Sequence, residues 1–137
     1  MPATTAWTTY ETAIMTLFYA PSTQTDRKAI IKGQTVEVEG RLQEISTKGL
    51  AIESPKNAGI GIRLEVRFEL PALGEFNQMC LHGYVRHRHA TEHGFLLSLE
   101  LEEQDEHTRA ILQDFLDYKQ RLHDLSERYG YKASNPT

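Results

Sequence analysis

Residues 62–70 read IRLEVRFEL, an unbroken alternation of apolar and charged side chains. Successive side chains of a β-strand point to opposite faces, so this stretch predicts a strand with one buried and one solvated face. A strand with a single apolar face needs other strands to pair with and a core to cover it. The predicted inward residues are Ile62, Leu64, Val66, Phe68 and Leu70.

The flanking sequence continues the same period of two. Turn-forming residues at 54–57, 71–74 and 90–93 divide it into short segments joined without helices, which indicates an antiparallel barrel or sandwich. We predict a barrel over residues 34–101. The further strands are Thr35–Leu42, Gly49–Glu53, Met79–His89 and Gly94–Leu101. The positions predicted to be mostly buried are Val36, Val38, Leu64, Val66, Phe68, Leu81, Val85, Phe95, Leu97 and Leu99.

The period becomes helical from about Asp105 to Tyr129, and Gly130 is placed to cap the C-terminus. Apolar residues recur there at intervals of four and three, which is a heptad pattern. We predict that the first half, from Ile111 to Tyr118, packs on the barrel. The second half extends beyond it and is predicted to bind a second copy or another protein. The residues predicted for a homo-oligomer interface are Phe115, Tyr118, Leu122, Leu125 and Tyr129.

The composition suits one folded domain. The chain has 137 residues, 39% of them apolar, and a net charge of −4, which argues against a surface that binds nucleic acid throughout. No apolar stretch approaches the ~20 residues of a membrane span. The single cysteine, Cys80, cannot form an internal disulfide, so we expect a cytoplasmic protein with Cys80 buried as a small hydrophobe.

The predicted domain covers residues 1–137 in four parts. An N-terminal segment (1–26) precedes the barrel (27–102), and the helix (103–130) precedes a polar tail (131–137). The apolar residues between Trp7 and Tyr19 fit a short helix or a first strand, and the structure type of residues 4–20 is left open. Residues 21–26 have the composition of a loop.

The middle of the barrel contains Glu44-Ile45-Ser46-Thr47-Lys48-Gly49 and then an apolar strand. This segment resembles the signature of the PilZ domain family, in which Asp or Asn, then x-Ser-x-x-Gly, precedes such a strand. Residues 83–88 and 94–99 resemble the family's later strands, and the helix follows where the family has its closing helix. The resemblance covers roughly residues 27–125. It implies a PilZ-like barrel of about six strands with a long C-terminal helix, and a role in reading cyclic di-GMP.

The family's ligand site has a second part, an Arg-x-x-x-Arg motif on the N-terminal side. Here Lys28 and Lys32, which follow Arg27, provide the spacing but not the guanidinium groups. Arginine can bind a phosphate through two hydrogen bonds, whereas lysine is a point charge. Glu44 also replaces the shorter Asp or Asn. The implied cyclic di-GMP affinity is therefore expected to be weakened or lost. The candidate ligand residues are Arg27, Lys28, Lys32, Glu44, Ser46 and Gly49.

Each candidate also has a structural interpretation. Ser46 and Gly49 fit a hairpin turn in which the hydroxyl bonds local backbone and the glycine has a positive φ. Arg27, Lys28 and Lys32 fit a solvated loop. A convergence of Lys28 and Lys32 on Ser46 would favour a ligand site, and their separation would favour a scaffold.

Four histidines in or near the fourth strand suggest zinc, since His87 and His89 share a face and His82 and His93 are near. Arg86 and Arg88 alternate with them, however, and we predict an exposed strand face and no metal or other cofactor. No phosphate-binding glycine loop or nucleophile–base set is recognisable, so we predict no enzyme. Two functions lead: a PilZ-type effector or adaptor with a protein partner, or an assembly module that uses the helix and binds no ligand. A zinc-dependent protein that uses the histidines ranks third.

Overall fold

The computed structural model describes residues 22–128. The features predicted for residues 1–21, for Tyr129 and Gly130, and for the tail lie outside the described residues. Six strands and one helix follow one another along the described chain. They are β1 (Ser22–Lys32), β2 (Glu37–Ser46), β3 (Gly49–Ser54), β4 (Arg63–Ala72), β5 (Glu75–Thr91), β6 (Gly94–Leu101) and α1 (Glu106–Arg128).

The strands form a closed antiparallel ring in the order β1-β2-β3-β6-β5-β4, which confirms the predicted all-β core with a C-terminal helix. Most neighbours pair along much of their length, but β1 and β4 pair only where Ile30–Lys32 meets Glu65–Arg67. The first part of β1 and the last part of β4 therefore diverge. We call this opening between the two strands the seam.

Helix α1 packs against both strands of the seam. Its first turn is capped by Asp105, whose Oδ1 accepts a hydrogen bond from the Thr108 backbone N–H at 2.7 Å. The following turns bury an apolar stripe in the same core that the strands fill, with Phe115 fully buried. The helix thus completes the barrel where strand pairing does not. The buried stripe consists of Ile111, Leu112, Phe115 and Leu116.

Most of the predicted core is confirmed, because alternation places these side chains inside whatever the strand order. Leu64, Val66 and Phe68 of β4 are buried, as are Leu81, Val85, Leu97 and Leu99. Val38 and Phe95 are partly buried against the core. Val36 and Ile62 were predicted to point inward but are 43% and 47% exposed. Both precede the first residue of their strand, where residues 22–128 cover their side chains only in part.

Two other expectations were wrong. Residues 22–26 belong to β1 rather than to a loop, and the basic segment after them continues the same strand. Cys80 is exposed on the outer face of β5, because its neighbours Met79 and Leu81 occupy the inner face.

Two local features fix the geometry of the ring. At Gly40, a Cβ would lie 2.2 Å from the backbone oxygen of Glu53 on β3, so the close approach of β2 to β3 requires glycine. The β4–β5 turn consists of Leu73 and Gly74, with φ of 54° and 81°. Asp114 of α1 accepts a hydrogen bond from the Leu73 N–H at 2.8 Å, which ties this turn to the helix.

No helix within residues 22–128 is long and apolar enough to cross a bilayer.

Candidate ligand site and helix surface

Ser46 ends β2 and is buried in the turn to β3. Its Oγ accepts hydrogen bonds from the backbone N–H groups of Lys48 at 3.1 Å and Gly49 at 2.9 Å. The same hydroxyl lies 3.3 Å from the Gly49 carbonyl oxygen, to which it donates. Gly49 itself begins β3 opposite Glu100 and is not among the residues with positive φ, contrary to expectation. The hydroxyl proposed to meet a ligand is therefore engaged by the turn.

Glu44 lies at the same end of the barrel as Ser46. Its carboxylate accepts a hydrogen bond from the Ser22 hydroxyl at the start of β1. The strand register places Ser22 opposite Ser46 and Gln24 opposite Glu44. The β1 residues paired with this end of β2 are therefore uncharged.

Lys28 and Lys32 are not brought to Ser46. In the register Lys28 is opposite Arg41 and Lys32 is opposite Glu37, the first residue of β2. At a rise of ~3.3 Å per residue, these positions lie roughly 16 Å and 30 Å along β2 from Ser46. The two lysines are exposed on the outer face of a paired strand. Residues 1–26, which precede the candidate basic segment, contain no arginine or lysine. Lys28 and Lys32 are therefore separated from Ser46, and this separation favours a scaffold over a ligand site.

Arg27 points to the opposite side of β1, into the seam. Its guanidinium carbon lies 5.2 Å from the centre of the Phe115 ring, and the Lys119 ammonium lies 5.9 Å from the same ring. Burial lowers the pKa of both cations, and Arg27 lowers that of Lys119 further. The Arg27 Nε is buried and has no hydrogen-bond partner within residues 22–128. Sequence reasoning missed Lys119, although its place one helical turn after Phe115 carried the signal.

Helix α1 has a first part packed on the barrel and a second part exposed, as predicted, but the exposed part begins about one turn earlier than expected. Phe115 is fully buried within its own chain and is not available to a second subunit. Tyr118, which was expected to pack on the barrel, is 44% exposed, and Leu122 and Leu125 are 45% and 47% exposed. Their spacing of four and three places them on one helix face. We call Tyr118, Leu122 and Leu125 the distal face.

Polar side chains beside the distal face are held by contacts within the helix. Gln120 Nε2 donates to Asp124 Oδ1 at 3.0 Å, and His123 Nε2 lies 3.2 Å from Glu127 Oε2. These pairs stabilise α1 beyond the barrel and leave the apolar residues uncovered by the described part of the chain.

The described chain is thus a small closed antiparallel barrel with a helix after the last strand. A family model described as "PilZ domain" matches residues 23–127. The chain belongs to the PilZ domain family, whose members are binding and adaptor domains rather than enzymes and include receptors of cyclic di-GMP. No curated protein sequence is similar enough to this chain to count as a match.

Solved structures share the fold. The inhibitor of motility (MotI/DgrA) of Bacillus subtilis is 19% identical with a TM-score of 0.66, and the match covers 75% of this chain. The chain spans only 51% of that protein's length. The PilZ domain of CeSA from a cellulose-synthesizing bacterium is 10% identical with a TM-score of 0.54, and the match covers 73% of this chain and 99% of that one.

Proposed function

We propose that this chain is a PilZ-type adaptor with weakened or lost cyclic di-GMP affinity, which acts by protein contact through the distal face of α1. The observation that carries this proposal has two sides: residues 22–128 leave the apolar distal face exposed, and Lys28 and Lys32 lie far along β1 from Ser46. The function is binding rather than catalysis. A cytoplasmic location belongs to the same proposal and rests on the lone cysteine.

The ligand part of the proposal rests on Ser46 and the two lysines. A ligand at the β2–β3 turn would have to replace local hydrogen bonds of a buried hydroxyl, and the lysines lie too far along β1 to reach the same molecule. Cyclic di-GMP carries two phosphates and two guanine bases, which arginine binds better than lysine. The free energy available for binding is reduced on both sides of the motif.

The contact part rests on the distal face, for which we propose a second copy of this chain as the partner. Complete burial of a large apolar side chain contributes roughly 1.5–3 kcal/mol, and each of these residues is already about half buried. Three residues from each of two copies would then contribute roughly 4–9 kcal/mol. The loss of translational and rotational freedom costs about 4–15 kcal/mol, so this face supports a weak dimer unless more surface joins it.

Self-association should be measured by size-exclusion chromatography with light scattering, up to about 100 µM because the expected dimer is weak. We expect the wild-type mass to rise from monomer to dimer with concentration. The double change Leu122→Glu and Leu125→Glu should keep the protein monomeric, since it places charge in the contact without loss of helix propensity. Arg121→Glu, also exposed on α1, is the matched control and should behave as wild type. A wild-type monomer throughout this range would contradict the second copy as partner.

The ligand part has its own test by isothermal titration with cyclic di-GMP. We expect no heat of binding, or a dissociation constant weaker than about 10 µM. A tighter wild-type complex would overturn the ligand part of the proposal, and its loss in a Lys28→Ala, Lys32→Ala double variant would assign the binding to the two lysines. A negative result in one experiment leaves the other part of the proposal intact, because the self-association test changes residues of the distal face and the titration changes residues of β1.

A further inference from the structure

The outer faces of β4 and β5 bring together three side chains of kinds that bind metal ions. Glu65 is directly opposite His82 in the strand register, and Cys80 lies two residues before His82 on the same face. A carboxylate oxygen, the thiol sulfur and an imidazole nitrogen all lie within 4.8 Å of one another. Within residues 22–128 this is the one group of three or more His, Cys, Asp or Glu side chains so arranged.

We propose that Glu65, Cys80 and His82 bind a thiophilic divalent ion of the zinc class. Zinc takes sulfur, nitrogen and oxygen ligands together, whereas magnesium and calcium prefer oxygen alone. Three protein ligands leave the fourth tetrahedral position for water or for a donor side chain of a partner. The thiolate and carboxylate balance both charges of the ion, and the proton displaced from the thiol passes to the buffer.

The hydrogen bonds of Glu65 suit this role. Its Oε1 lies 3.2 Å from His82 Nε2, on the side where the ion would lie. Its Oε2 accepts from Arg67 Nε at 2.8 Å. Arg67 also lies 3.7 Å from Glu37, so its charge has a second carboxylate. Arg67 can therefore keep holding one carboxylate oxygen while the other binds the ion, as outer-shell partners of metal ligands do.

The position of the group favours binding without rearrangement. All three residues lie on paired strands, which fix their backbones, and the side chains turn outward while Met79 and Leu81 fill the core. Cys80 is exposed and Glu65 and His82 are half-buried, so an ion can enter from solvent. The expectation of no metal site considered the histidines of β5 without Glu65, which only the pairing of β4 with β5 places beside them.

Cobalt(II) is the probe, because a tetrahedral cobalt–thiolate site gives a sulfur-to-cobalt charge-transfer band and visible ligand-field bands. Titration of the full chain under reducing conditions should give both, saturating at one ion per chain, and zinc should abolish them. Cys80→Ser should remove the charge-transfer band. Glu65→Gln and His82→Ala should each weaken binding by more than about tenfold, at least the lower effect of losing an outer-shell partner.

His93→Ala is the matched control, since His93 is exposed in the β5–β6 turn, and it should leave the titration unchanged. Circular dichroism of each variant checks that the barrel is intact. Absence of the bands in wild type would overturn the proposal. So would a charge-transfer band that survives in Cys80→Ser, or equal losses in His93→Ala and His82→Ala. None of these results depends on the oligomeric state.

Discussion

Replacement of Phe115 tests whether α1 is part of the core or only rests on the barrel. The side chain is fully buried in the seam, where β1 and β4 no longer pair. Removal of a buried phenylalanine ring costs about 3–5 kcal/mol, including the cavity that is left. The ring also faces Arg27 and Lys119, and each contact of this kind contributes about 0.5–1 kcal/mol when partly solvated. Together these contributions lead us to expect that Phe115→Ala lowers the free energy of unfolding by at least about 4 kcal/mol.

The measurement is urea unfolding followed by far-ultraviolet circular dichroism, at one protein concentration so that self-association does not differ between samples. With a urea dependence of ~2 kcal/mol per molar, the midpoint should fall by about 2 M. Phe115→Leu keeps most of the apolar volume and should cost only about 1–1.5 kcal/mol, so it gives a reading if Phe115→Ala does not fold. Arg121→Ala, exposed on the same helix, should stay within about 0.5 kcal/mol of wild type.

The reasoning is refuted if Phe115→Ala unfolds within about 1 kcal/mol of wild type, because a fully buried ring in a close-packed core cannot be removed at so low a cost. Such a result would mean that the barrel closes without the helix. Hydrogen exchange of the Phe115→Ala variant distinguishes a loss of structure in the helix alone from a loss in the whole barrel. Fast hydrogen exchange confined to α1 would show that the helix detaches while the strands stay folded.

Three further results are expected. Ser46→Ala should lower the free energy of unfolding by about 1–3 kcal/mol in urea titrations without any ligand, because two backbone donors lose a buried acceptor; an unchanged midpoint would refute the structural role. Gly40→Ala should unfold or severely destabilise the barrel, whereas Gly33→Ala, whose Cβ would meet only ordinary contacts, should be tolerated in the same assay. The Glu102 carboxylate has a pKa lowered to about 2 by its hydrogen bond with Arg63, so its stabilising effect is complete above its ordinary value of 4.5 and is lost as the pH falls toward 2. Glu102→Gln should therefore be less stable than wild type at neutral pH, and this difference should shrink in acid unfolding between those two values.

The strands with strong alternation could be predicted because the evidence for them is local. IRLEVRFEL needs no knowledge of its neighbours to show which side chains turn inward. β1 has the sequence STQTDRKAIIK, in which only Ala29 and Ile31 are buried. Its extended structure depends on pairing with β2 and, over three residues, with β4. A loop was the natural inference from its polar residues, since pairing partners distant in sequence leave no local pattern.

The same limit explains the candidate ligand site. A spacing of four residues suggested that Lys28 and Lys32 act together, as they can in a loop that bends around a ligand. In a strand the same spacing places them on one outer face about 13 Å apart along β1. The family resemblance correctly indicated the fold but could not decide which positions of β1 face Ser46. That required the register, in which Ser22 rather than a basic residue lies opposite.

The three proposed metal ligands show how much of a surface site a sequence contains. Alternation across Met79-Cys80-Leu81-His82 already places the cysteine and the histidine on one outer face, and alternation in IRLEVRFEL places Glu65 on the outer face of β4. The ligands on each strand could therefore be identified from the sequence. The assignment of Cys80 to the core was wrong because it overlooked the apolar residues on either side of it. What the alternation could not supply was the pairing of Glu65 with His82, which is set by the two-residue turn at Leu73–Gly74. In a hairpin the turn length fixes the register, and a shift of one residue would have placed a different side chain opposite His82. The site is thus a consequence of that turn, which Asp114 holds from the helix.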